Sequence, residues 1–153
     1  MKPAPFEYHA PESLSDVVAL LAEHGDEAKV LAGGQSLVPM LALRLTRFEH
    51  IVDLNRVDDL RGVSRSNGTL TVKAMTTQRT VEQDAAAGEA VPLLAQAIPL
   101  IGHFQIRNRG TVAQQHDGRG RDGGREVLFA HGVGHRADPI VGARERASPQ
   151  VLR

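Results

Sequence analysis

Apolar positions along the first 112 residues come in short bursts whose spacing keeps switching between the strand and helix periods. Phe6-Glu7-Tyr8-His9 alternates and predicts a short edge strand, broken by Ala10-Pro11-Glu12. Ser13 reads as a helix N-cap with Asp16 in the first turn, and Leu14, Val17, Val18, Leu20 and Leu21 form an apolar face at helical spacing as far as Gly25. Ala28 to Leu31 predicts a short strand that runs into Ala32-Gly33-Gly34-Gln35-Ser36. Ser36 is placed to cap the next helix, with Pro39 in its first turn, where a missing N–H is harmless.

His50 to Leu54 predicts another strand, and Asn55 to Leu60 a polar turn or single helical turn. The clearest hairpin is Gly62 to Ala74, where Asn67-Gly68 sits between two alternating runs. Thr76 or Thr77 is expected to cap a helix reaching about Ala87, and Val91 to Ile98 starts another, with Pro92 near its first position. Phe104 to Val112 reads as a basic loop leading into a strand, with Arg107 and Arg109 as solvated or partner-facing cations. The pattern is that of an α+β domain with short strands and intervening helices. After Val112 periodicity is lost, and 113–153 is dense in Gly and Arg. The organisation expected is therefore a domain over 1–112 and an irregular or disordered tail over 113–153.

Composition narrows the function classes. Eighteen basic and eighteen acidic residues give zero net charge, which argues against a nucleic-acid or membrane partner. Gly-Arg repeats in the tail resemble an RNA-binding segment, but aromatic residues are not interleaved and acidic ones are mixed in. With no cysteine, this chain holds no disulfide, thiolate zinc site or iron–sulfur cluster. The N-terminus lacks the apolar core of a signal peptide, no run reaches membrane-spanning length, and a cytoplasmic protein is expected. His131 and His135 stand four apart, but Gly132 and Gly134 weaken the helix that would align them, while His24, His50 and His103 read as structural or surface residues. No carboxylate pair suggests acid–base catalysis, so no catalytic residue is assigned.

The strongest chemical signal is the turn at Ala32 to Ser36. A strand that ends in two glycines before a helix aligns backbone N–H groups with no side chain in the way, a geometry suited to phosphate. Shape alone leaves open a plain tight turn, and the pattern is neither the Rossmann nor the P-loop fingerprint.

Other motifs fall in order around that turn. Ala-Gly-Gly-x-Ser-Leu-x-Pro spans Ala32 to Pro39, followed by Leu43-Arg44-Leu45, Ile51 to Leu54, Ala74-Met75-Thr76-Thr77, Pro92 to Ala95, Ile101-Gly102 and Arg107-Asn108-Arg109-Gly110-Thr111. Over about Phe6 to Val112 the chain thereby resembles the FAD-binding subunit, or medium chain, of the molybdenum hydroxylases, which include aerobic carbon monoxide dehydrogenase and the xanthine dehydrogenases. The resemblance implies the N-terminal part of a PCMH-type FAD-binding domain. By carry-over, Ala32, Gly33, Gly34, Gln35 and Ser36, with Leu37, would hold the FAD diphosphate. Lys29 and Leu31 would lie near the nucleotide, Ile101 and Gly102 would approach the cofactor, and Thr111 would begin a second phosphate loop. It further implies an electron-transfer role beside a large molybdenum-cofactor subunit and a small iron–sulfur subunit, with a quinone, NAD or oxygen as acceptor.

The resemblance stops inside the second loop. The family continues Thr-x-Gly-Gly, whereas Val112 is followed here by Ala113-Gln114-Gln115, whose Cβ atoms would crowd a phosphate. The residues 113–153 have the composition of a GC-rich gene read in the wrong frame, and a frameshifted or degenerate tail is expected; sequencing the locus tests this. The alternative to an electron-transfer subunit is a truncated, non-catalytic fragment with weak or no flavin binding.

Overall fold

The computed structural model describes residues 2–112, and the expected tail over 113–153 lies outside the described residues. Strand β1 (Glu7–His9), helix α1 (Leu14–His24), strand β2 (Ala28–Leu31), helix α2 (Leu37–Ala42) and strand β3 (His50–Asp53) form the first half. The three strands are parallel in the order β1-β3-β2, so β3 is central and β1 lies at an edge. The Ser13 hydroxyl accepts from the Asp16 N–H, and Gly25 ends α1 with φ 50°. Val17 packs against Val52, Leu54, Val57 and Met75, with Leu14, Leu20, Leu21, Ala28 and Val30 around them. Val18 departs from the expected apolar face: it is half exposed, because the sheet is narrow enough for one stripe of α1 to cover.

The second half begins with the hairpin β4 (Val63–Ser66) and β5 (Thr69–Val72). Asn67 and Gly68 both have positive φ, as a two-residue hairpin turn requires. Helices α3 (Gln78–Gln83), α4 (Ala85–Ala90), α5 (Pro92–Ala97) and α6 (Phe104–Arg109) follow. Val81, Ala87, Ile98 and Val112 make a second core, with Val63, Leu70, Val72, Leu94 and Ile101 packed on it. Mixed strands and helices bear out the α+β expectation.

Two expectations need correction here. Thr77 caps α3, but the helix does not reach Ala87: Asp84 leaves the helical region, and its carboxylate caps Ala87 N–H to start α4. Thr76 is buried and bonds both backbone groups of Gly62 through its hydroxyl. Phe104 to Arg109 is a helix, not a loop, because His103 supplies an extended cap position and Arg107 has a buried destination.

Candidate functional site

Leu31 pairs with Asp53, so β2 and β3 end together, and the chain leaves β2 into the glycine turn at the carboxyl edge of a parallel sheet. Loops at such edges are where open α/β sheets place ligands. Gly34 has φ 74°, and its carbonyl accepts from Val38 N–H at 3.1 Å. A Cβ on Gly34 would lie 3.1 Å from Val38 Cγ2 and 3.4 Å from Leu31 Cδ1. Glycine is thus required twice, for backbone angle and for space. Gln35 Nε2 donates to the Gly33 carbonyl at 3.4 Å, folding this side chain back on the turn. Ser36 occupies the N-cap position of α2, but its hydroxyl makes no capping bond, because its own backbone is already helical. Lys29 Nζ stands 5.9 Å from the Phe48 ring centroid.

A polar network fixes this turn to the sheet. Asn55 Nδ2 donates to the Ala32 carbonyl at 3.1 Å and to Asp53 Oδ1 at 2.6 Å, while Asn55 N–H also donates to Asp53 Oδ1 at 2.9 Å. Tyr8, from β1, donates its hydroxyl to Asp53 Oδ2. Arg61 donates to the Asn55 carbonyl at 3.0 Å and to the Met75 carbonyl at 3.4 Å. The Asp53 carboxylate thus holds β1 and Asn55 directly, and Asn55 extends the network to Ala32 after β2 and to Arg61 before the hairpin. Ionising Tyr8 would put a second anion against Asp53, and its pKa is raised above 10.0 by that hydrogen bond first, then by burial. Sequence reading passed over Asp53 and Asn55 as site supports. The signal available was an Asp-x-Asn at a strand end, a spacing that lets the carboxylate catch the N–H two residues on.

The second candidate segment is built differently. Gly102 has φ 53°, and a Cβ there would lie 3.1 Å from Ile106 Cδ1. Arg107 is 8% exposed, so the expectation of a solvated or partner-facing cation is overturned. Its Nη1 donates to the carbonyls of Pro99, Ile101 and Gly102 at 3.3, 3.3 and 3.1 Å. Its Nε and Nη2 hold the two Glu82 oxygens at 3.0 and 3.2 Å, a bidentate fork from α6 to α3. Arg79 Nη1 adds a contact to Glu82 at 3.1 Å. The Arg107 hydrogen bonds hold the Glu82 carboxyl below its usual 4.5, against the opposing pull of burial. Arg109 is exposed, as expected.

Ile101, Gly102 and Thr111 are thereby brought into one unit with α6. Thr111 bridges Thr77, Val112 N–H donates to the Thr76 carbonyl at 3.0 Å, and Gln78 N–H donates to the Gly110 carbonyl at 2.8 Å. Thr111 is 1% exposed, and its hydroxyl oxygen has no hydrogen-bond partner. The segment Ala74 to Gln78 joins the two candidate loops, because Met75 belongs to the first core and receives Arg61, while Thr76 and Thr77 hold the end of the second.

Residues 4–113 match the family described as the FAD binding domain in molybdopterin dehydrogenase. The carbon monoxide dehydrogenase medium chain of Hydrogenophaga pseudoflava is 46% identical over 112 residues, which are 73% of this chain and 39% of that protein. The caffeine dehydrogenase subunit beta of a Pseudomonas strain is 41% identical over 73% of this chain and 38% of its own length. Among solved structures, a carbon monoxide dehydrogenase from Hydrogenophaga pseudoflava superposes with a TM-score of 0.72 at 45% identity, covering 74% of this chain and 40% of that one. The chain thus spans about two-fifths of the length of the relatives it matches. Among the described residues, no helix is long and apolar enough to cross a membrane.

Proposed function

The chain belongs to the family of FAD-binding domains of molybdopterin dehydrogenases, and on that premise we propose that it is the flavin-holding part of a molybdenum hydroxylase medium chain. The observation that carries this reading is the Gly34 turn. It presents backbone where a Cβ has no room, at the carboxyl edge of the parallel sheet, with Ala32 fixed by Asn55. Such a cradle suits a diphosphate, since rigid amide donors bind phosphate oxygens without a lysine to desolvate. The buried, unpartnered Thr111 hydroxyl is a second group suited to a ligand oxygen.

In this reading Ala32 to Ser36, with Leu37, hold the diphosphate, and Lys29 and Leu31 flank the nucleotide. Ile101 and Gly102 stand toward the cofactor, and Thr111 donates or accepts at the second loop. FAD, when bound, supplies the redox chemistry, passing electrons from an iron–sulfur small subunit to an external acceptor. The substrate is oxidised in a large molybdenum-cofactor subunit. The protein's own part is to bind, orient and screen the flavin in the cytoplasm. Exposed Leu93, Leu100 and Phe104 give the second half an apolar surface that a partner or a further part of the medium chain would cover.

A second reading rests on one observation: Val112 leads into Ala113-Gln114-Gln115, whose Cβ atoms would crowd a phosphate. On that reading the chain is a non-catalytic fragment with weak or no flavin affinity. Titrating the purified full chain with FAD separates the two. Binding of one FAD, seen by visible absorbance and quenched flavin fluorescence, and its loss in Gly34→Val, is the outcome expected for a medium chain. Colourless protein that takes up no added FAD supports the fragment. Co-expression with the large and small subunits then tests assembly.

A further inference from the structure

Away from the glycine turn, three histidines from three elements meet on the α1 side of the sheet. His9 closes β1, His24 lies in the last turn of α1, and His50 opens β3. His50 and Val52 share a face by alternation, and His9 lies beside Val52 in the register, so both rings stand on the face that α1 covers. The His24 and His50 rings stack at 3.7 Å between centroids, with His9 at 5.3 and 5.4 Å from them. His9 Nε2 and His50 Nδ1 are 3.1 Å apart. One ring nitrogen from each of the three lies within 4.8 Å of the others.

We infer that His9, His24 and His50 form a binding site for a borderline transition-metal ion, with Zn²⁺ as the ion best matched. Zinc–imidazole bonds of about 2.0–2.1 Å in a tetrahedron place ligand atoms about 3.3 Å apart, close to the His9–His50 spacing already present. The His24 donor atom lies within 4.8 Å of the other two, and coordination requires its ring to turn out of the stack on His50. Glu7 Oε2 lies 3.5 Å from His50 Nδ1, so a turn of this exposed side chain offers a fourth, oxygen donor. Glu27 and Glu49 make an overlapping group with His50, so the rim is anionic and favours a cation. Three imidazoles and a carboxylate select zinc over magnesium or calcium, which prefer all-oxygen sets. The fourth donor closes the site, so its role is structural: it fastens a three-residue edge strand to the central strand and to the end of α1.

His50 opens β3 and Asp53 closes it beside the glycine turn, so the inference does not depend on flavin binding. The test uses the full chain without flavin. Calorimetry with ZnCl₂ is expected to give one equivalent, a raised melting temperature, and affinity about 100-fold or more weaker in each of His9→Gln, His24→Gln and His50→Gln. CoCl₂ is expected to give the visible bands of a four-coordinate ion, bleached by zinc; this needs no variant and stands if a substitution prevents folding. Replacing His103, His116, His131 and His135 together is expected to leave binding intact. A chain with neither zinc uptake nor a cobalt band, or binding that follows those four histidines instead, overturns the inference.

Discussion

Two glycine turns carry the candidate site, and they are alike locally but opposite in support. Gly34 and Gly102 both have positive φ, both precede a six-residue helix, and each is covered by the β-branched side chain four residues on, at 3.1 Å from where a Cβ would stand. The first turn is fastened by a neutral amide, Asn55, to one carbonyl. The second is fastened by a buried guanidinium, Arg107, to three carbonyls and a carboxylate 25 positions earlier in the chain. A turn that grows out of a paired strand needs one strut. A turn between helices, with no ladder to inherit, needs a charged hub and its counter-ion.

The largest test of that contrast removes the hub. Arg107→Met keeps the apolar stem but removes the bonds to three carbonyls and leaves Glu82 with Arg79 alone. The expected loss is about 2–3 kcal/mol in urea denaturation, since a buried charged donor loses all its hydrogen bonds at once. Arg107→Lys recovers only part of it, since an ammonium cannot fork. A loss under about 0.5 kcal/mol in Arg107→Met would show that the second turn stands without its guanidinium.

Next comes Gly34→Val, where strained φ and the Val38 contact add. A loss of about 2 kcal/mol is expected, together with loss of FAD uptake. Gly102→Ala meets the same strain with a smaller side chain, and about 1 kcal/mol is expected. Equal FAD affinity in Gly34→Val and the unsubstituted chain would remove the turn from the cofactor site. Smaller again is Asn55→Ala, at about 1 kcal/mol, with the Ala32 strut lost and flavin affinity reduced. If affinity holds while stability falls, Asn55 serves only the sheet.

The same contrast explains what could be read from the sequence. The first half was legible because its information is local. Ser13, the apolar spacing of α1, the Ala28–Leu31 run and the glycines each act within a few residues. So did the hairpin, from Asn67-Gly68 alone. The second half is decided at a distance. Arg107 looked like a solvated loop cation because nothing within four residues of it is acidic; its partner is Glu82, on another helix. Asp84 is a capping residue type, but Thr80 to Gln83 before it and Ala85 to Ala87 after it read as one helix. The histidine cluster is invisible for the same reason, since register and helix length together bring residues 9, 24 and 50 into contact. Of the candidate site, the resemblance named the motif residues, Asp53 and Arg107 among them, but the supporting roles of Asp53, Asn55 and Arg107 were not legible.

The smallest effect expected separates the two regions by pH. In the second region, Glu82 is held below its unfolded value near 4.5 by Arg107. Its contribution is therefore present above that value and is lost as pH falls through the lowered folded value. In the first region, Tyr8 is held above 10.0 by Asp53. Its contribution is present below 10.0 and is lost as pH rises toward the raised folded value. The α3–α6 side should thus loosen in acid and the strand ends in alkali. Hydrogen exchange read segment by segment, or melting curves across pH, measures this directly. Glu82→Gln should flatten only the acid limb, and Tyr8→Phe only the alkaline one. If Glu82→Gln alters both limbs equally, the two turns share one cooperative unit through Ala74 to Gln78, and the separation into two supports is only geometric.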